Sequence, residues 1–286
     1  MSTTKKVSGT FNRILESYLT VYIGLGVIFV VLLSPLVLMC FTAFKTPAET
    51  ELWPPTIVPH DIDLEAFADV IFNSKIPTAI SNSLIIGLST VAIVVVAATF
   101  TAYGLSRYKY RGSRVLSYSL LATRIIPPIS LTIPFFAIFA WLGLVNKKLT
   151  LIILNVYLNY PIVTWLLIDA FNRFPNELID SARIDGATRN QTFFFIVLPL
   201  TVTAIAAGAI ITFLFTWNEF LYAVTYINNP KLRTLPLAVM FFVGEAYLDV
   251  GMLAAAMVVS TLPVILVYIF ISEWFIQGMT VGAVKG

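Results

Sequence analysis

Apolar residues occupy this chain in long, nearly unbroken blocks separated by short polar stretches. About 20 consecutive apolar residues are enough for a helix to cross the hydrocarbon core of a bilayer. Six blocks reach that length: 18–44, 76–105, 115–141, 149–171, 193–217 and 252–275. None alternates with the period of two that marks a membrane-barrel strand. The pattern predicts an all-α polytopic membrane protein with six transmembrane helices. Blocks two and five, "SNSLIIGLSTVAIVVVAATFTAYG" and "LTVTAIAAGAIITF", are rich in Gly, Ala, Ser and Thr, which let helices approach closely in lipid. Both are expected inside the bundle or against another subunit. Pro127, Pro128, Pro134, Pro161 and Pro263 fall within blocks three, four and six and predict bends. Such bends serve a gated pathway or are merely architectural.

Composition agrees with the pattern. The 286 residues are 58% hydrophobic and 12% charged, with a mean hydropathy of +0.89. The first apolar block is much longer than the core of a signal peptide, so it reads as a retained helix. Cys40 is the only cysteine, which excludes an internal disulfide. With the amino terminus inside, eleven Lys and Arg residues fall on inner segments and six on outer ones. Both termini are therefore expected in the cytoplasm. The net charge of +3 finds its use in this orientation, and no nucleic-acid partner is expected. The organisation that follows is a cytoplasmic segment 1–17, a membrane domain 18–275 and a cytoplasmic tail 276–286. The outer loop 45–75 is acidic and Pro-rich. Its second half puts Leu64, Phe67, Ala68 and Ile71 at helical spacing, either an amphipathic helix or an exposed loop with one packed turn.

Catalytic chemistry is not evident. His60 is the only histidine and lies in the outer loop, so no triad and no metal site can be built in the membrane. No phosphate-cradling G-x-x-x-x-G-K-[ST] occurs, so any ATP and Mg are expected on another protein. Coupling to an ion gradient usually needs ionisable groups deep in the membrane. Arg124 is nearest a midplane position, while Asp169, Glu219 and Glu273 fall near block ends. Arg124 is either a structural partner for a carbonyl or carboxylate, or a solute contact.

One polar stretch stands out. "FPNELIDSARIDGATRN" contains helix-starting Pro175 and Asn176, acids at Glu177 and Asp180 in the first turns, and Gly186 as a stop. The helix it predicts is shorter than the ~12–15 residues needed for marginal stability alone. Its charges keep it out of lipid, yet Leu178, Ile179, Ala182 and Ile184 are apolar. Something must pack on it: a soluble partner, or the ends of the protein's own helices.

The run "ELIDSARIDGATRNQTFFFIVLP" resembles the EAA loop of ABC-importer permeases. The Glu-Ala-Ala positions fall on Asp180, Ser181 and Ala182, the glycine on Gly186, and the Ile-x-Leu-Pro ending on Ile196, Leu198 and Pro199. Asp for Glu and Ser for Ala preserve charge and small size. "NSLIIG", "TAYGLSRYKYRG", "TWNEFLYA" and the terminal "GMTVGAVKG" are similar to the carbohydrate branch of the family, which includes the maltose-type G subunit. The resemblance implies the type I importer permease fold in a prokaryotic inner membrane. It also implies a second, maltose-type F-like permease, an ATPase dimer that binds the ATP and Mg, an extracellular solute-binding protein, and a carbohydrate solute. By the same resemblance, Glu177, Asp180, Ser181, Ala182, Asp185, Gly186 and Ala187, within the loop 172–192, would seat on the ATPase. The outer loop would meet the binding protein, and Gly282, Lys285 and Gly286 would reach toward the ATPase. The groups suited to a polyhydroxylated solute are Arg124, Asn155, Tyr157, Asn159, Trp217, Asn218 and Glu219. Tyr157, Tyr160 and Trp217 also fit an interfacial aromatic belt. Two other functions compete with the sugar permease: a permease for another solute, and a self-sufficient secondary transporter.

Overall fold

The computed structural model describes residues 3–108, 110–245 and 249–283. All regular structure there is helical. Helix α1 spans Thr3–Ala43 and α2 Ile76–Arg107. They are followed by α3 (Ser113–Ala122), α4 (Pro128–Trp141), α5 (Lys148–Arg173) and α6 (Asn176–Ile184). Then come α7 (Val202–Trp217), α8 (Leu221–Tyr226), α9 (Leu235–Glu245) and α10 (Val250–Ala283). Among the described residues four helices are long and apolar enough to cross a membrane, or five if a bent pair counts as one span.

Prolines decide where the expected spans break. Block three is two helices: α3 ends at Ala122, and α4 begins at Pro128 after Pro127 takes an extended backbone. A residue before proline is driven out of the helical region, so consecutive prolines stop a helix rather than bend it. Block five is also not one straight helix. Residues Arg189–Leu200 meet α7 at 69°, through a π-helical turn at Phe193–Val197 and a break at Thr201. Pro199 cannot supply its backbone donor there, and the Thr201 hydroxyl donates to the Val197 carbonyl at 2.8 Å. By contrast Pro35, Pro161 and Pro263 lie within continuous helices.

The chain forms two compact units. One comprises residues 1–72 and 247–258, the other 73–246 and 259–286. In the second, α2 packs along α5, and α7 lies against both. The small residues of blocks two and five make these approaches possible. A Cβ on Gly208 would come within 2.8 Å of Val163 Cγ1, and one on Gly87 within 3.2 Å of the Phe213 ring. One core cluster joins Val94, Ala98 and Ala102 of α2 to Val163, Leu167 and Phe171 of α5. Ile179 of α6, with Phe193 and Val197, belongs to the same cluster.

In the first unit, residues 64–73 of the outer loop form one packed turn rather than a long amphipathic helix. The α-helical turn Glu65–Ala68 passes into a π turn, Asp69–Asn73. That change of pitch rotates the face: Val70 is buried and Phe67 sits 4.9 Å from the Phe44 ring, while Leu64 and Ile71 are exposed. Earlier in the loop, Glu49 accepts from the Thr56 hydroxyl at 2.7 Å and from the His60 amide and ring. The buried Lys45 donates to the Thr56 carbonyl.

Candidate functional site

The polar stretch after α5 is a helix, and its two faces differ. Ile179 and Ala182 are buried, and Ile179 belongs to the core cluster that includes residues of α2 and α5. On the other side Ile184 is 86% exposed and Leu178 43% exposed, among Glu177, Asp180, Ser181, Arg183 and Asp185. Folding back on the protein's own helices is therefore what holds α6 in place, and it uses only half of the apolar residues. The remaining face has apolar positions rimmed by charge, the composition of a surface that receives another protein. The exposed Arg183–Asp180 contact, at 3.6 Å, adds little to the helix.

Gly186 ends α6 as the sequence predicts. Its φ is +83°, its N–H donates to the Arg183 carbonyl at 3.1 Å, and the Ala187 N–H reaches back to Ala182 at 2.9 Å. These are the two bonds of a Schellman cap, which satisfies carbonyls the helix would otherwise leave open. Thr188 then caps the next turn with a reciprocal Gln191 capping box. The loop is stiff at both ends.

Pro175 stands at the cap position of α6, and Asn176 is the first helical residue. Its side-chain oxygen accepts from Arg107 Nη1. Arg107 Nη2 donates to the carbonyls of Phe171 at 2.7 Å and Phe174 at 3.0 Å, and the guanidinium lies 5.5 Å from the Phe174 ring centre. One side chain at the end of α2 thus holds the end of α5 and the beginning of α6. Local pattern could not reveal this. The only signal was a basic residue closing a long apolar block, which the charge rule had already used.

The solute-path residues divide into two groups. Asn155 and Asn159 are buried between helices. The Asn155 amide donates to the Leu151 carbonyl at 2.9 Å, and Asn159 donates to the Asn155 carbonyl at 2.9 Å and the Thr216 hydroxyl at 3.4 Å. Trp217 is 5% exposed and stacks on Phe213, an internal packing position rather than an interfacial one. Glu219 accepts from the N–H groups of Tyr222 at 2.6 Å and Ala223 at 3.2 Å, capping α8. Exposed Asn218 donates to its own helix at the Leu214 carbonyl.

Arg124 and Tyr157 are brought together. Both line a cleft of about 80 Å³ with Thr123, Ile126, Pro128 and Leu158. Arg124 donates to the Leu158 carbonyl at 2.9 Å. Leu158 is near the middle of the 26-residue α5, which places this arginine at mid-span. Tyr160 is elsewhere, sharing a 2.8 Å hydrogen bond with Thr101. Gly282 is in the last turn of α10, while Lys285 and Gly286 lie outside the described residues.

Motif residues with no assigned role also acquire one. Asn82 of "NSLIIG" donates to the carbonyls of Lys231 and Arg233 at 3.0 and 2.9 Å. Ser83 accepts from the Leu235 N–H at 2.8 Å. This pair pins the loop before α9 to α2.

A bundle of long apolar helices, with a small helix half-anchored between two of them, has the build of a membrane protein. Residues 94–281 match the family described as "Binding-protein-dependent transport system inner membrane component", and the chain belongs to that family. It is therefore a multi-pass inner-membrane protein. It is 30% identical over 265 residues to the sulfoquinovosyl glycerol transport system permease protein SmoH of Agrobacterium fabrum, covering 93% of both chains. The trehalose/maltose transport system permease protein MalG of Thermococcus litoralis is 29% identical, covering 92% of this chain and 95% of the relative. A crystal structure of a bacterial ABC transporter that imports the acidic polysaccharide alginate superimposes with a TM-score of 0.75 at 23% identity. That match covers 92% of this chain and 97% of the other. Fold and family agree with the resemblance carried by the motifs.

Proposed function

We propose that this chain is a permease subunit of an ATP-binding-cassette importer for a sugar or related polyhydroxylated solute. It forms the translocation path with a second permease chain. A separate ATPase dimer binds the ATP and Mg, and an extracellular protein delivers the solute. The bundle crosses the membrane six times with both termini cytoplasmic, counting α3 with α4, and residues 189–200 with α7, as single crossings. Support for the solute class comes from relatives named for transport of trehalose, maltose and sulfoquinovosyl glycerol.

The observation that carries the reading is the two-faced α6. Its buried face enters, through Ile179, the core cluster shared by α2, α5, Phe193 and Val197, and its exposed face, with Leu178 and Ile184, is left for the ATPase. ATP-driven closure of the ATPase pair displaces α6, and the packed helices follow as a unit between two arrangements. Tyr157 and Arg124, beside an open cleft at mid-span, are the groups best placed to meet solute hydroxyls. The test is reconstitution of the assembled complex in proteoliposomes. Sugar uptake should require ATP on the α6 side and the binding protein on the other. Uptake by this chain alone, driven by a proton or sodium gradient, would overturn the proposal.

A further inference from the structure

Arg107 occupies a junction that the family resemblance does not explain. It is the last residue of α2, and its guanidinium contacts three separate pieces of chain. Nη2 donates to the Phe171 carbonyl in the last turn of α5 and to the Phe174 carbonyl in the connection. Nη1 donates to the side chain of Asn176, the first residue of α6. The guanidinium carbon lies 5.5 Å from the Phe174 ring centre. Carbonyls at a helix C-terminus carry the negative end of the dipole, so a cation is favoured there.

Packing and bonding act together at this point. Phe171, Phe174 and Ile179 are buried in the same cluster as Ala98 and Ala102 of α2. The apolar contacts resist separation but are non-directional. The guanidinium supplies direction, because its planar fork fixes the angles among the carbonyls it binds. A displacement of α6 therefore reaches α2 as well as α5. Without Arg107, the directional link from α2 to the start of α6 is lost, and the apolar packing of Ile179 in the shared cluster remains.

We infer that Arg107 is the positioning residue that transmits movement of α6 to two spans at once, so its loss uncouples ATP hydrolysis from transport. This rests on the reading of α6 as the ATPase-docking helix. A lysine retains the charge but is a point donor that cannot hold the same fork, so Arg107→Lys separates charge from geometry.

The experiment uses the complete importer in proteoliposomes and measures solute moved per ATP hydrolysed for Arg107→Lys, Arg107→Ala and Asn176→Ala. Hydrolysis per assembled complex should stay within about twofold of the parent. Transport per ATP should fall by roughly tenfold in Arg107→Ala, with smaller losses in Arg107→Lys and Asn176→Ala. A cysteine at Ile184 in a Cys40→Ala background reports docking by crosslinking to the ATPase. No crosslink with Arg107 intact means that the ATPase reading itself fails. An intact crosslink with an unchanged transport-to-ATP ratio in Arg107→Lys and Arg107→Ala overturns this inference alone. Parallel loss of transport and hydrolysis, or loss of assembly in all three variants, assigns Arg107 to folding only and also overturns it.

Discussion

Replacing Gly186 tests the stiffness of α6 with little confusion from crowding. A Cβ built there meets nothing within 4 Å, so the cost of a side chain is almost wholly conformational. At φ +83° an L-residue other than Asn or Asp pays about 1–2 kcal/mol, and a β-branched one stands at the upper end or beyond. If the backbone flips to escape, the caps at 3.1 and 2.9 Å to Arg183 and Ala182 are lost with it. For Gly186→Val we take about 2 kcal/mol, roughly a thirtyfold loss in the population with the cap closed. Gly186→Ala should cost about 1 kcal/mol and Gly186→Asn least, since Asn tolerates the left-handed region. The assay is ATP-dependent uptake into vesicles, normalised to complex recovered from the membrane. Uptake should rank glycine, asparagine, alanine, valine, with insertion unchanged. Equal loss in all three variants would refute the conformational reasoning, because only a contact on the outer face treats them alike. Normal uptake by Gly186→Val would show that the cap has no role in transport.

Three further outcomes follow from the packing. Asn82→Ala removes both donors to the Lys231 and Arg233 carbonyls and should destabilise the bundle in detergent by about 2 kcal/mol, read as a lower thermal midpoint. Gly208→Ala should cost about 1–3 kcal/mol, because the new methyl overlaps Val163. Combining it with Val163→Ala should recover part of that loss, and simple additivity of the two would count against direct overlap. Hydrogen bonds from Thr56 and His60 hold the Glu49 carboxyl well below its ordinary 4.5, at about 2. A depressed carboxylate stabilises the folded loop fully above the unfolded value and loses that contribution as pH falls through the folded one. A nitroxide at Val58 in a Cys40→Ala background should stay immobile at pH 6 and gain mobility between about pH 4.5 and 2, whereas Glu49→Gln should be mobile throughout.

What the sequence disclosed and what it hid separate along a physical line. Block lengths, the small-residue faces of α2 and α7, and the stop at Gly186 are local properties, set by transfer from water, by close approach and by φ. Each was legible. The glycine stop and the close-packed faces have their counterparts in the structure, and blocks one, two, four and six stand as long apolar helices. The proline breaks were half legible: Pro127–Pro128 interrupts a span while Pro161 does not, because an isolated proline costs one bond that a packed helix can forgo. Arg107 and Asn82 were hidden, since their partners lie 64 to 69 and 149 to 151 residues away. Periodicity does not encode such contacts, and charge counting treats Arg107 as one more inner cation. The exposed face of α6 shows the converse. Apolar Leu178 and Ile184 look like ordinary helix residues until Ile179 and Ala182 are seen to have taken the interior. A nine-residue helix that anchors one side and leaves the other apolar gains nothing from the exposed pair by itself. On the proposed function they meet a surface outside this chain, and that surface is where the ATPase reading stands or falls.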